Sequence, residues 1–127
     1  MAMNALTALA HAEGRDVVLF AHTSHILNAP MVGGRFSTQQ QPPQSMGETL
    51  RRSLGNLYLA IVEIEPVTPA PAIAPPDLFQ LLHPTCAKPC MMSVGGIPLP
   101  QVRIGINGDD QQLIDPATAA SFYLVVP

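Results

Sequence analysis

The stretch that most constrains this chain is Val17–Leu27, VVLFAHTSHIL. It opens as an uninterrupted apolar run, Val17 to Ala21, and stops abruptly at His22-Thr23-Ser24-His25. Short apolar runs rich in β-branched residues and bounded by turn-formers read as strands buried on both faces, the pattern of a covered parallel sheet. In such sheets ligands sit beyond the carboxyl ends of the strands. The expectation is therefore a central strand delivering a pair of imidazoles, His22 and His25, to a functional edge.

The flanking segments extend this to an α/β reading. Met3, Leu6, Leu9 and Ala10 recur at helical spacing in Met1–His11, which predicts a helix with one buried stripe, stopped near Gly14. Asn28–Ser45 has no periodicity and is expected to be a long loop, substrate-facing or simply on the surface. Ser45-Met46-Gly47-Glu48 fits the S-x-x-E capping box, and Arg51 and Arg52 suit the far end of the helix it starts. Leu57–Ile64 is a second strand candidate, so residues 1–64 read as αβαβ.

Fourteen prolines, the first of them Pro30, make the second half different. Residues 65–100 form a Pro-rich irregular segment, interrupted by a short helix that Asp77 caps ahead of Pro84. Residues 101–127 close the fold: Val102–Ile106 with the turn-former Asn107-Gly108 suggests a hairpin, then Asp115-Pro116 starts a helical turn, and Ser121–Val126 is the final strand. The fold expected is a single α/β domain or domain fragment over 1–127, with a partial, mostly parallel sheet, flanking helices and an irregular second half.

Composition excludes several functions. A net charge of -3 offers no basic patch for nucleic acid, and no apolar run approaches the roughly 20 residues of a membrane span. No signal peptide is visible, and two cysteines suit a reducing, cytoplasmic setting. Charged residues are only 12%, which points to little solvated surface or to a piece that packs against something larger.

Imidazole is the usual general acid/base near neutral pH, and His22 and His25 are the candidate catalytic groups. H-x-x-H supplies two metal ligands, too few for a closed site. His83, Cys86 and Cys90 form H-x2-C-x3-C, which begins a zinc spacing without an evident fourth ligand; incidental thiols are the preferred reading, and a Cys86–Cys90 disulfide is disfavoured in a reducing compartment. Ser24 lacks the G-x-S-x-G setting of a nucleophile elbow.

Ala21-His22-Thr23-Ser24-His25-Ile26 resembles the A-H-N-x-H-[VI] motif of the erythromycin esterase family, which also includes proteins linked to succinoglycan biosynthesis. Met1–Asn4 resembles the family's M-A-x-N opening, and Ser45-Met46-Gly47, Leu50-Arg51 and Leu54-Gly55 resemble its S-M-G-x-x-L-R-x-x-L-G helix in the same order. The resemblance covers mainly residues 1–64 and the last dozen, the carboxyl-terminal part of a longer family chain. It implies lactone or ester hydrolysis by a His-activated water, without a metal or other cofactor. On that resemblance His22 and His25 are catalytic and Thr23, where the motif has Asn, contacts substrate; Arg35, the nearby loop cation, is the further candidate substrate contact, its alternative being a solvated loop arginine. It also implies a small-molecule ester or lactone as partner, and a site completed by a separate amino-terminal half or by self-association. The alternative is a non-catalytic domain of that fold that binds a small molecule or a partner.

Overall fold

The computed structural model describes residues 1–32, 36–66, 75–107 and 110–126. In chain order the elements are α1 (Ala2–Ala10), α2 (Thr23–Ile26), α3 (Met46–Leu54), β1 (Ile61–Ile64), α4 (Leu78–Leu82), β2 (Cys90–Met92), β3 (Val102–Asn107), β4 (Asp110–Ile114), α5 (Pro116–Ala119) and β5 (Phe122–Val125). Helices and strands mix as α/β, but the sheet is small and mixed. β5 lies in the centre, parallel to β1 (Ile61 opposite Phe122) and antiparallel to β2 (Cys90 opposite Val125). β3 and β4 form a separate antiparallel hairpin, Val102 opposite Ile114, with a register shift between Gly105 and Asn107.

The helix starts follow local chemistry. Ser45 Oγ accepts from the Glu48 N–H at 2.9 Å while Glu48 Oε2 accepts from the Ser45 N–H at 3.0 Å, the reciprocal capping box expected at the start of α3. Asp77 accepts from Phe79 N–H at α4, and Asp115 from Ala117 N–H at α5, where Pro116 occupies the first helical position without a lost donor. Each carboxylate satisfies an amide that the helix itself leaves without a carbonyl.

The strands bury one face. β1 alternates exposed and buried along its four residues, and β5 alternates half-buried and buried. Val62, Ile64, Tyr123 and Val125 thereby meet Leu27, Leu78, Val102, Ile104 and Ile114 in one core that joins the sheet to the hairpin. The hairpin is flanked by irregular chain on both edges: Arg103 N–H donates to Pro76 O, and Leu113 N–H donates to Val32 O. Buried Gln112 donates its amide to Pro30 O, fixing the loop that follows α2.

Three expectations are corrected. Val17–Ala21 is not a strand: Val18 is 79% and Phe20 98% exposed, and the helical turn of α2 begins two residues after Ala21. Apolar character made the run strand-competent, but burial requires a neighbour, and no described strand pairs with it. The same holds for α1, which forms at the predicted place and ends before Gly14 (φ +81°) but has no buried residue. The expected strand over Leu57–Ile64 is also shorter, since Gly55–Leu57 is a 3₁₀ turn and pairing starts only at Ile61.

Gly47, in the first turn of α3, is required by close approach. A Cβ there would overlap the backbone carbonyls of Ile26 and Leu27, which backbone, unlike a flexible side chain, cannot yield. Gly47→Ala is expected to destabilise the fold by about 3 kcal/mol, the upper range for overpacking, in a urea unfolding titration. An unchanged midpoint would show that α3 does not sit against α2 in this way.

Tyr123 donates its hydroxyl to Pro116 O at 2.8 Å in the core, and burial, reinforced by Asp115, raises its pKa well above the ordinary tyrosine range. Burial also raises that of Tyr58. The folded state thus holds these protons more tightly than the unfolded chain, so their contribution is complete below pH of about 10 and is lost as pH rises above it. Stability is expected to fall steeply in that alkaline range. The fall should be shallower in Tyr123→Phe, measured by denaturant midpoints across the alkaline series.

Candidate functional site

His22 is held by the turn that follows it. As the N-cap of α2 its Nδ1 accepts from the Ser24 backbone N–H at 3.3 Å and lies 2.9 Å from Ser24 Oγ. A backbone N–H can only donate, so Nδ1 is an acceptor, and in the neutral ring the proton resides on Nε2. The His22 ring is exposed, leaving Nε2–H as an outward donor. Ser24 is 6% exposed, and its hydroxyl is spent on His22. It orients the imidazole and is not an accessible nucleophile.

His25 lies one turn on, half-buried, with its ring edge toward His22 at a centroid distance of 6.3 Å and an interplanar angle of 72°. No carboxylate pairs with either ring among the described residues. Thr23 occupies the first position of α2 between the two histidines and is half-buried. Arg35, the expected cationic contact, lies outside the described residues.

The base of this turn is fixed to α3 and the core. Leu27 is fully buried, its carbonyl accepts from Ser45 Oγ, and the Ile26 carbonyl accepts from Tyr58 OH. The capping serine therefore has two roles, since Ser45 starts α3 and also ties the chain just after His25. The sequence motifs located both partners, but nothing in their spacing announced the bond between them.

The His83, Cys86 and Cys90 cluster departs from the reading as incidental thiols. Cys86 and Cys90 form a disulfide with Cα atoms 5.9 Å apart, within the usual range. His83 stacks on Phe79 with centroids 5.0 Å apart. No group of three or more His, Cys, Asp or Glu that could hold a metal occurs among the described residues. With both cysteines paired, cysteine count no longer argues for a reducing compartment. No helix among the described residues is long and apolar enough to cross a membrane.

A second concave surface escaped sequence reading. A cleft of about 320 Å³ is lined by Arg51, Tyr58, Ser93, Ser121 and Asn28, with alanines between them. Arg51 had been assigned only a favourable position in the helix dipole; its tertiary partners, Gly55 O, Tyr58 O and Asn56 Oδ1, are set by the turn after α3.

The disulfide closes a short loop that joins the 3₁₀ turn after α4 to β2. On the loop-closure model, replacing both cysteines with serine should cost about 2 kcal/mol. Thiol titration of the denatured native protein should find none free until reductant is added. Two free thiols before reduction would contradict the bond.

No family model matches this chain, and no curated protein or solved structure shows significant similarity to it.

Proposed function

We propose that this chain carries part of the active site of an ester or lactone hydrolase, in which His22 and His25 divide the work. The observation that carries the reading is the tautomer imposed on His22. With Nδ1 occupied by Ser24, Nε2–H is a donor suited to a substrate carbonyl and to the oxyanion that develops on it. His25, whose ring has no hydrogen-bond partner among the described residues, is the general base that takes a proton from the attacking water. The two rings are neighbours, with centroids 6.3 Å apart, so one bound ester can reach both. Water adds to the carbonyl carbon as its proton passes to His25. Collapse of the tetrahedral intermediate expels the alkoxide, which recovers that proton. Thr23 and Arg35 are the substrate contacts.

The resemblance of Ala21–Ile26 to the erythromycin esterase motif agrees with this chemistry and extends it to macrocyclic lactones. It also calls for a carboxylate to orient the base, and no carboxylate pairs with either histidine among the described residues. A separate amino-terminal half, or a second copy, supplies it in this reading. The exposed Val17–Phe20 run and the unpaired outer edge of β1 support it. In the completed, mostly parallel sheet, Val17–Ala21 is a strand and its apolar side chains are covered.

The test is water addition to a panel of macrocyclic and simple lactones, followed by mass spectrometry, with and without the complementary half. His25→Ala should lower turnover by roughly 10²–10⁴-fold and His22→Ala by roughly 10²–10³-fold. His22→Gln, which keeps an N–H donor, should recover part of the loss, whereas His25→Gln should recover none. Equal losses in both glutamine variants would reject the assigned roles. A folded chain that binds lactones but turns none over in either setting favours the non-catalytic binding role, to which the missing carboxylate already points.

A further inference from the structure

The cleft around Arg51 shares no residue with the histidine pair, and its guanidinium and two of its serine hydroxyls have protons to donate. Arg51 Nη1 donates to Gly55 O at 3.1 Å and Tyr58 O at 3.3 Å, and Nη2 donates to Asn56 Oδ1 at 3.2 Å. These bonds hold the guanidinium plane and use three of its five hydrogens. The remaining two, on Nε and Nη2, are left to donate to an anion, for which the guanidinium is suited.

The neighbouring hydroxyls are turned to match. Ser121 Oγ accepts from the Ala60 N–H at 3.2 Å, and Ser93 Oγ accepts from the Gly95 N–H at 3.4 Å. With its oxygen already accepting from backbone, each serine has its O–H proton to offer. Among the described residues no aspartate or glutamate lines the cleft and Arg51 is its one charged group, while Ala60, Ala117 and Ala120 provide apolar wall between the donors. A volume of about 320 Å³ is at the small end of ligand pockets.

From this we infer that the cleft binds a small organic acid, its carboxylate on the free edge of Arg51 and the hydroxyls of Ser93 and Ser121, and its apolar body against the alanines. A planar anion suits a donor set made of one guanidinium and two serine hydroxyls. Binding here is independent of the histidine chemistry.

The experiment is a titration of the isotope-labelled chain with benzoate, with benzamide and inorganic phosphate as comparisons, followed by amide chemical shifts. Benzoate should produce saturable shifts at Gly95, Ala117 and Ser121, while benzamide produces none. Arg51→Gln should weaken benzoate by roughly ten- to a hundred-fold, the range for a charged hydrogen-bond partner. Because Arg51 also braces the turn after α3, Ser93→Ala provides the second variant. It should weaken benzoate by roughly two- to ten-fold with an unchanged unfolding midpoint. Absence of saturation in the native chain, equal binding of benzamide, tighter binding of phosphate than of benzoate, or full affinity in Ser93→Ala would each overturn the assignment.

Discussion

The contact between the start of α3 and the end of α2 is the constraint on which the candidate site depends. A four-residue helical turn has too few internal hydrogen bonds to persist alone. Here its final carbonyls are taken by Ser45 Oγ and Tyr58 OH, while Gly47 lets the α3 backbone come close enough for the first of these bonds. Leu27 then enters the core as the anchor immediately behind His25. The placement of the turn that carries the histidine pair is thus set from outside it, by three residues that lie 20 or more positions downstream, while Ser24 within it orients His22.

The rest of the fold is built around β5, which supplies Tyr123 and Val125 to the core and pairs on both sides. The hairpin adds Val102, Ile104 and Ile114 from a different sheet, so the core is shared between two small sheets. This explains the exposed apolar side chains at Val18, Phe20, Leu57 and Ile61: neither sheet extends over the face that they occupy. The three-stranded sheet has no described element beyond β1, which leaves that edge without a cover.

What the sequence revealed, and what it concealed, divides by range. Caps at Ser45, Asp77 and Asp115 were legible because a short polar side chain and the amide that it satisfies lie two or three residues apart. The hairpin and the final strand were legible from alternation and turn chemistry. Val17–Ala21 misled because apolar sequence specifies a preference for burial, while burial itself depends on a partner elsewhere. The same limit hid the Cys86–Cys90 bond, whose assessment rested on compartment, and the Arg51 cleft, whose walls come from four separated segments. Of the candidate site, the positions of His22 and His25 were readable, but the role of Ser24 in fixing the His22 tautomer emerged only from the geometry.

The central position of β5 has a consequence for the order in which the chain can acquire structure. β1 and β2 do not pair with each other, and each finds its only described partner in β5, which follows both in the chain. Ile61 meets Phe122 across 61 intervening steps of chain, a closure that costs entropy before any contact offsets it. During synthesis the β3–β4 hairpin is complete before β5 emerges, and it pairs locally. The sheet must wait, its two outer strands exposed, until Phe122–Val125 has left the ribosome.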